Sequence, residues 1–136
     1  MDHAYRLTME SPAVEAYLRL RRESGLSART EQEAENGIGG AWASAIAIHV
    51  ESGEIVGMGR VIGDGGWYFH IIDMAVLPDH QRKGIGDAIL AALLERIGEH
   101  SPNACVSLLA DPPGRRLYAR HGFVESAPGS IGMWRR

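Results

Sequence analysis

Several features that assign a protein to a class are scarce in this sequence. Cys105 is the only cysteine among the 136 residues, so no intrachain disulfide can form, as is typical of a reducing compartment. The apolar run at Ile89–Leu94 is far shorter than the roughly 20 residues that a membrane-spanning helix needs. The N-terminus also lacks the basic and then apolar stretches of a secretory signal. We therefore expect a cytoplasmic protein without a membrane partner.

Positive charge is not in excess either. The chain carries 14 Lys and Arg against 17 Asp and Glu, a net charge of −3, which argues against a general nucleic-acid-binding protein. Residues 1–68 carry six Arg against ten acidic residues, whereas residues 69–136 carry eight basic against seven acidic ones. This asymmetry favours an anion bound by the second half and a cation near the first. The length and the 45% hydrophobic content predict a single globular domain over residues 1–136.

Hydrophobic periodicity and turn residues predict a chain that mixes helices and strands. Apolar residues recur every fourth position from Ile85 to Ile97, which predicts a long helix ending near Gly98. The alternation before it predicts three antiparallel strands joined by tight turns. In chain order the predicted elements are a strand at 4–8, a helix from Ser11–Pro12 to Gly25, a short helix at 31–36, three strands within 41–76, the long helix, a strand at 104–110, a helix at 113–121 and two strands in the C-terminal tail.

A basic, glycine-bearing loop leads from the third of these strands into the long helix. The strand ends at Val76, and residues 81–86 read Gln-Arg-Lys-Gly-Ile-Gly. Glycines let the backbone approach a ligand, the first amides of a helix lack internal partners, and the helix dipole favours negative charge there. The phosphate loop GxxxxGK is absent, and a dinucleotide fingerprint would need glycine where Ile89 stands. The loop therefore predicts an anion site of another kind.

Two segments resemble the GCN5-related N-acetyltransferases (GNAT). Residues 76–90, VLPDHQRKGIGDAIL, look like the family's acetyl-CoA signature, which is Gln or Arg, two residues, Gly, one residue, and Gly or Ala. Residues 110–125, with Tyr118, Gly122 and Phe123, resemble its later helix, and the likeness covers roughly residues 41–125. It implies an α+β fold with a mixed, mostly antiparallel sheet of six to seven strands flanked by about four helices.

The resemblance also implies acetyl-CoA as the cosubstrate. Backbone amides of residues 82–87 would hold its diphosphate, and residues 74–76 would pair with its pantetheine arm and supply the amide that polarises the thioester carbonyl. Asp111 stands where many relatives have a cofactor-contacting Asn, and Arg116 is a candidate for the 3′-phosphate. The histidines show no spacing suited to a metal ion, and none is expected. The implied cofactor-binding residues are Met74, Ala75, Val76, Gln81, Arg82, Lys83, Gly84, Ile85, Gly86, Asp87, Asp111 and Arg116.

The catalytic candidates are Tyr118, His70 and Asp73. Tyr118 matches the family's general acid, which protonates the coenzyme A sulfur; it is also suited to packing against Phe123. The base that takes the amine proton is His70, Asp73, another carboxylate or water. In a regular strand the first two would point to opposite faces, and only a bulge between them would change this.

The expected reaction is acetyl transfer to a primary amine on a small cationic molecule. Acidic residues of the first half would attract the cation and aromatic ones would wall the site; they are Glu31, Glu33, Glu35, Asp64, Trp42 and Trp67. The alternatives are a protein acetyltransferase acting on a lysine or N-terminus, and a non-catalytic acetyl-CoA-binding sensor or subunit. Cys105 is expected to be a buried core residue. A tail strand at Ile131–Trp134 is a candidate for pairing in a homodimer.

Overall fold

A computed structural model describes residues 1–135. Short 3₁₀ turns at Ile38–Gly40, Pro78–His80 and Pro112–Gly114 separate some of its elements. The strands and helices are β1 (Tyr5–Thr8), α1 (Val14–Ser24), α2 (Glu31–Gly37), β2 (Ala43–His49), β3 (Glu54–Gly63), β4 (Tyr68–Val76), α3 (Ile85–His100), β5 (Cys105–Ser107) and α4 (Arg115–Arg120).

The strands form one mixed sheet in the order β1-β2-β3-β4-β5. All neighbours are antiparallel except β4 and β5, which run parallel. The predicted α+β class and the central meander are therefore confirmed. In the part of the chain described, no helix combines the length and hydropathy needed to cross a bilayer.

Helices α1 and α3 pack on opposite faces of the sheet. On the α3 face, β3 has glycines at 57 and 59, and a Cβ at Gly59 would lie 2.7 Å from Ile89 Cγ2. Their missing side chains let α3 lie close to the sheet. On the other face, the next residue of β3, Arg60, places its guanidinium 5.5 Å from the ring of Tyr17 in α1. This packing holds the N-terminus of α3 next to the end of β4.

The boundaries of three predicted elements need correction. Helix α1 begins at Val14 with Ala13 as its N-cap, and the hydroxyl of Ser11 instead donates to that of Ser44 in β2. Helix α3 continues past Gly98 to His100. Strand β5 has three residues rather than seven, and Cys105 at its start is exposed rather than buried.

The two C-terminal strands are absent from residues 123–135. The sheet of the described residues therefore has five strands rather than six or seven. Val124, Ile131 and Met133 are strongly exposed, so these three apolar residues lie outside the core, whereas Phe123 at the start of the tail packs against it. A strand is stable only when it packs an apolar face on the core or pairs with a neighbouring strand.

Candidate active site

Strands β4 and β5 part after three residues. Their ladder joins Tyr68–His70 to Cys105–Ser107, and from Ile71 onward this edge of β4 has no strand beside it within residues 1–135. A cleft of about 410 Å³ opens where they separate. It is lined by Ser24, Gly25, Leu26, Ile71, Ile72, Asp73, Met74, Leu109, Asp111, Pro113, Gly114 and Tyr118.

A β-bulge at Asp73 marks the floor of this cleft. Arg60 pairs with Ile72 and Met58 with Ala75, so two residues of β4 stand opposite the single residue between them in β3. Asp73 has a left-handed backbone, with φ 57°, which is uncommon for any residue but glycine. The bulge that would change the relative directions of His70 and Asp73 is thus present.

The carboxylate of Asp73 is bound by three side chains on the α1 face. Its Oδ1 accepts from Arg21 Nη1 at 2.5 Å, and its Oδ2 accepts from Arg60 Nη1 at 2.9 Å and Tyr17 Oη at 2.7 Å. The carboxylate and both guanidinium groups are nearly buried. Burial, and next the hydrogen bond to Asp73, raise the pKa of Tyr17. We call these four residues the bulge clamp.

The clamp also fastens the α1–α2 segment to the sheet. Arg21 donates through Nε to the carbonyl of Ser27, and Arg60 donates through Nη2 to the carbonyl of Gly37. Sequence reasoning missed both arginines. The available signal was Arg60, a charge in the middle of strand EIVGMGRVIG, where the residues on both sides are apolar or glycine. A buried charge requires a partner.

Tyr118 lies in the cleft and also packs as a core-edge residue, so the two roles expected for it are compatible. Its ring meets Phe123 edge to face at 6.1 Å between centroids. A Cβ at Gly114 would lie 2.8 Å from Tyr118 Cε2, so the ring rests directly on that glycine. Burial, and secondly the negative charge of Asp111, raise the pKa of the Tyr118 hydroxyl.

His70 sits where β4 and β5 part. Its Nδ1 lies 2.9 Å from Ser107 Oγ, and the Ser107 hydroxyl donates to Tyr68 Oη at 3.3 Å. Burial lowers the pKa of His70. Its neighbours Ile71 and Ile72 line the cleft, whereas His70 itself does not.

The loop before α3 has the geometry expected of an anion site. Arg82 and Gly84 both have left-handed backbones, with φ 61° and 78°, and alternation of this kind turns successive amides toward one side. The first backbone bond of the 16-residue α3 runs from Ala88 to the Gly84 carbonyl. The amides of residues 85–87 therefore have no partner within the helix. The Gln81 side chain donates to the Val76 carbonyl at 3.0 Å, tying the loop to β4.

Asp87 connects this loop to the helix that carries Tyr118. Its carboxylate accepts from Arg120 Nη2 and from His121 Nε2, each at 2.9 Å. The hydrogen bond from Arg120 is the main reason that the pKa of Asp87 is lowered. Arg116 and Lys83 are exposed, as cations at the rim of an anion site would be. The sequence predicted a role only for the backbone amide of Asp87. It did not predict the side-chain bonds to Arg120 and His121.

The acidic and aromatic residues expected beside the acceptor lie elsewhere. Glu33 closes a capping box with Thr30 at the start of α2, and Asp64 accepts from three turn amides at residues 66–68. Trp42 packs on Phe69 at 4.7 Å between ring centroids. None of the six lines the cleft, whose acidic residues are Asp73 and Asp111. Within residues 1–135, no three His, Cys, Asp or Glu side chains are grouped to hold a metal ion.

Comparison with known proteins identifies the family. A protein of unknown function from meticillin-resistant Staphylococcus aureus is 36% identical, with a TM-score of 0.90 over 97% of this chain and 98% of its own. A GNAT family acetyltransferase from Streptococcus pneumoniae, 23% identical over 97% of this chain and 98% of its own, shares the fold with a TM-score of 0.78. An uncharacterized N-acetyltransferase of Porphyra purpurea, ycf52, is 28% identical over 67% of this chain and 52% of its own length.

The chain spans about half the length of the curated relatives that it matches. The profile of the acetyltransferase (GNAT) domain matches residues 42–125. That range includes the bulge, the anion loop and Tyr118, and it makes up more than half of the chain. The resemblance seen in the two sequence segments is thereby confirmed, and the chain belongs to the GNAT acetyltransferase family.

Proposed function

We propose that this chain transfers an acetyl group from acetyl-CoA to a primary amine on a small molecule. The observation that carries the proposal is the cleft itself, which is lined by Ile71–Met74 of the unpaired edge of β4 and by Tyr118. The first amides of α3, at residues 85–87, follow the end of β4 along the chain and have no partner within the helix. A pocket of about 410 Å³ is within the usual range for small ligands.

The residues present fit acetyl-CoA. The amides of residues 85–87, with Arg82 and Lys83 at the rim, suit a diphosphate, because unpartnered amides at a helix start favour anions. The edge of β4 over Met74–Val76 suits an extended, amide-bearing chain that adds to the sheet like a strand. Bound acetyl-CoA supplies an activated thioester whose sulfur leaves as a thiolate.

Tyr118 is the proposed proton donor to that sulfur. Its raised pKa keeps the hydroxyl protonated at neutral pH, so the proton is present when negative charge develops on the leaving group. As the amine nitrogen bonds to the carbonyl carbon and the carbon–sulfur bond breaks, the nitrogen must also lose a proton. In this proposal a backbone amide of Met74, Ala75 or Val76, next to the bulge, stabilises the charge that develops on the carbonyl oxygen.

His70 is the proposed base, acting directly or through water. Its lowered pKa keeps the imidazole neutral at pH 7 and able to accept a proton. With Nδ1 paired to Ser107 Oγ at 2.9 Å, the proposal uses Nε2 as the atom that takes up the proton. Asp73 is less suited to this role, because both its oxygens already accept bonds from the clamp.

A thiol-release assay with acetyl-CoA and a panel of small amines and peptides tests this function. Turnover on small amines is the expected result. Turnover on peptides alone would favour a protein acetyltransferase. Absence of turnover on every amine, together with acetyl-CoA binding by calorimetry, would favour a sensor or non-catalytic subunit.

A further inference from the structure

The main-chain groups of β4 face alternate sides along the strand. At its start, the Tyr68 carbonyl accepts from the amide of Asp64 at 3.1 Å on the β3 side. Just before β4, the Trp67 carbonyl accepts from the amide of Cys105 at 2.7 Å on the β5 side. In this part of the chain, even-numbered residues therefore turn their main-chain groups toward β3, and odd-numbered residues turn theirs toward β5.

The bulge at Asp73 reverses this order. Beyond it, the amide of Leu77 donates to the Val56 carbonyl of β3 at 2.9 Å, so odd-numbered residues now face β3. One extra residue in a strand shifts the alternation by one position. The amides of Met74 and Val76 therefore face the edge of β4 that is open within residues 1–135. Without the bulge they would face β3, and a cosubstrate could not pair with them.

Tyr17 of α1 is the uncharged member of the bulge clamp. It is 7% exposed, and its hydroxyl donates to Asp73 Oδ2 at 2.7 Å. Its ring lies 5.8 Å from the guanidinium carbon of Arg21 and 5.5 Å from that of Arg60, within the range of cation–π contacts. Removing the hydroxyl alone would leave the ring, both guanidinium groups and the carboxylate in place. Its contribution can therefore be measured apart from that of the buried charges.

We propose that Tyr17 is a positioning residue for acetyl transfer. Its hydroxyl holds the Asp73 carboxylate, and a backbone with φ 57° at a residue other than glycine persists only when its surroundings hold it. The bulge in turn directs the amides of Met74 and Val76 to the cleft, where one of them polarises the thioester carbonyl. This role rests on the proposed function, because acetyl-CoA is the ligand that brings the carbonyl.

The test compares Tyr17→Phe with a matched control, Tyr5→Phe. Tyr5 is also 7% exposed, and its hydroxyl also makes one bond of 2.7 Å, to His80 Nδ1. Neither Tyr5 nor His80 lines the cleft. Each variant loses one hydroxyl and keeps its buried ring, and circular dichroism with urea unfolding checks that both remain folded.

The first measurement is the carbonyl stretching frequency of bound acetyl-CoA, labelled with carbon-13 at the carbonyl, by infrared difference spectroscopy. A hydrogen bond to the carbonyl oxygen lowers this frequency. We expect wild type and Tyr5→Phe to lower it equally relative to free acetyl-CoA, and Tyr17→Phe to lower it less. Coenzyme A lacks this carbonyl, so its calorimetric Kd should be the same in all three proteins.

The second measurement is thiol release with acetyl-CoA and an amine that wild type accepts. We expect Tyr17→Phe to lose about tenfold or more in kcat, with the KM of the amine unchanged, because misplacing a catalytic group by about 1 Å can cost on the order of 10²-fold in rate. Tyr5→Phe should keep the wild-type kcat. A change in stability alone would not separate kcat from KM in this way.

A wild-type carbonyl frequency and kcat in Tyr17→Phe would refute the role of Tyr17 and leave the proposed function intact. Equal losses in Tyr17→Phe and Tyr5→Phe would also refute it, because they would reflect general destabilisation. If wild type binds acetyl-CoA but releases no thiol with any amine, the proposed function fails, and the infrared shift alone decides the role of Tyr17. If wild type does not bind acetyl-CoA, both are refuted.

Discussion

Asp73 accepts a hydrogen bond from Arg60 across the bulge that Asp73 itself forms, with 2.9 Å between Oδ2 and Nη1. The bond spans β3 and β4 at the one place where their register shifts. Arg21 donates to the other carboxylate oxygen, Oδ1. Two guanidinium groups from different elements therefore hold the Asp73 side chain in place. This arrangement keeps the backbone of Asp73 left-handed at the floor of the cleft.

Two substitutions of Asp73 should separate two contributions to the free energy of unfolding. One comes from the charges of the bulge clamp and the other from the left-handed backbone at Asp73. Asp73→Ala and Asp73→Gly both leave two buried guanidinium groups without their carboxylate, so we expect each to lose about 3–5 kcal/mol of unfolding free energy. Alanine at a left-handed φ costs a further 1–2 kcal/mol or so, and glycine does not. Urea unfolding should therefore show Asp73→Gly to be the more stable of the two. Equal stabilities would mean that the bulge relaxes when the clamp is lost.

The clamp and the anion loop show what the sequence does and does not reveal. The loop was predictable because its six residues, Gln81–Gly86, are consecutive in the sequence. The backbone conformation that exposes its amides is determined by these residues alone. The clamp joins Arg21, Arg60 and Asp73 from three different elements, and no local pattern specifies such a contact. The prediction for the tail was wrong for a related reason. Its Pro/Gly turn indicated two strands around it, but a strand also needs a partner that lies elsewhere in the chain.

Tyr118→Phe should lower kcat and leave acetyl-CoA binding intact. The substitution removes the proton donor while keeping the ring that packs on Gly114 and Phe123. General acid catalysis contributes about 10²–10⁴-fold, and we expect a loss in that range. The measurements are steady-state kinetics and a calorimetric Kd. Wild-type turnover in the variant would remove Tyr118 from the mechanism.

Gly114→Ala should impair turnover by displacing the same ring. The new Cβ would lie 2.8 Å from Tyr118 Cε2 and 3.3 Å from its hydroxyl oxygen, so the ring must rotate or shift. Misplacement of a catalytic group by about 1 Å can cost on the order of 10²-fold in rate. Gly39→Ala is a matched control, because nothing lies within 4 Å of its Cβ position. A normal kcat in Gly114→Ala would show that the ring position is not critical.

The lowered pKa of His70 predicts how stability depends on pH. Burial disfavours the charged ring in the folded state, so below about pH 6.5, the ordinary value, the unfolded chain binds more protons. The contribution of His70 is therefore complete above that pH and is lost as pH falls through the lower folded value. Unfolding free energies at pH 7.5 and pH 5 should differ more for wild type than for His70→Gln. If His70 is also the base, the variant loses the low-pH limb of its kcat/KM profile.

Gly86→Val should prevent binding of coenzyme A without unfolding the chain. Gly86 lies in the first turn of α3, where its Cβ would meet Leu117 at 3.3 Å and a branched side chain would cover the amides of residues 85–87. Each lost hydrogen bond to a phosphate is worth roughly 1.5–3 kcal/mol, so losing two should raise the Kd at least about a hundredfold. Gly98→Val makes the same change of residue, and so the same change in helix propensity, in open space on the same helix. Calorimetry with coenzyme A, alongside circular dichroism of both variants, should show binding lost only in Gly86→Val; equal affinities would place the diphosphate away from this loop.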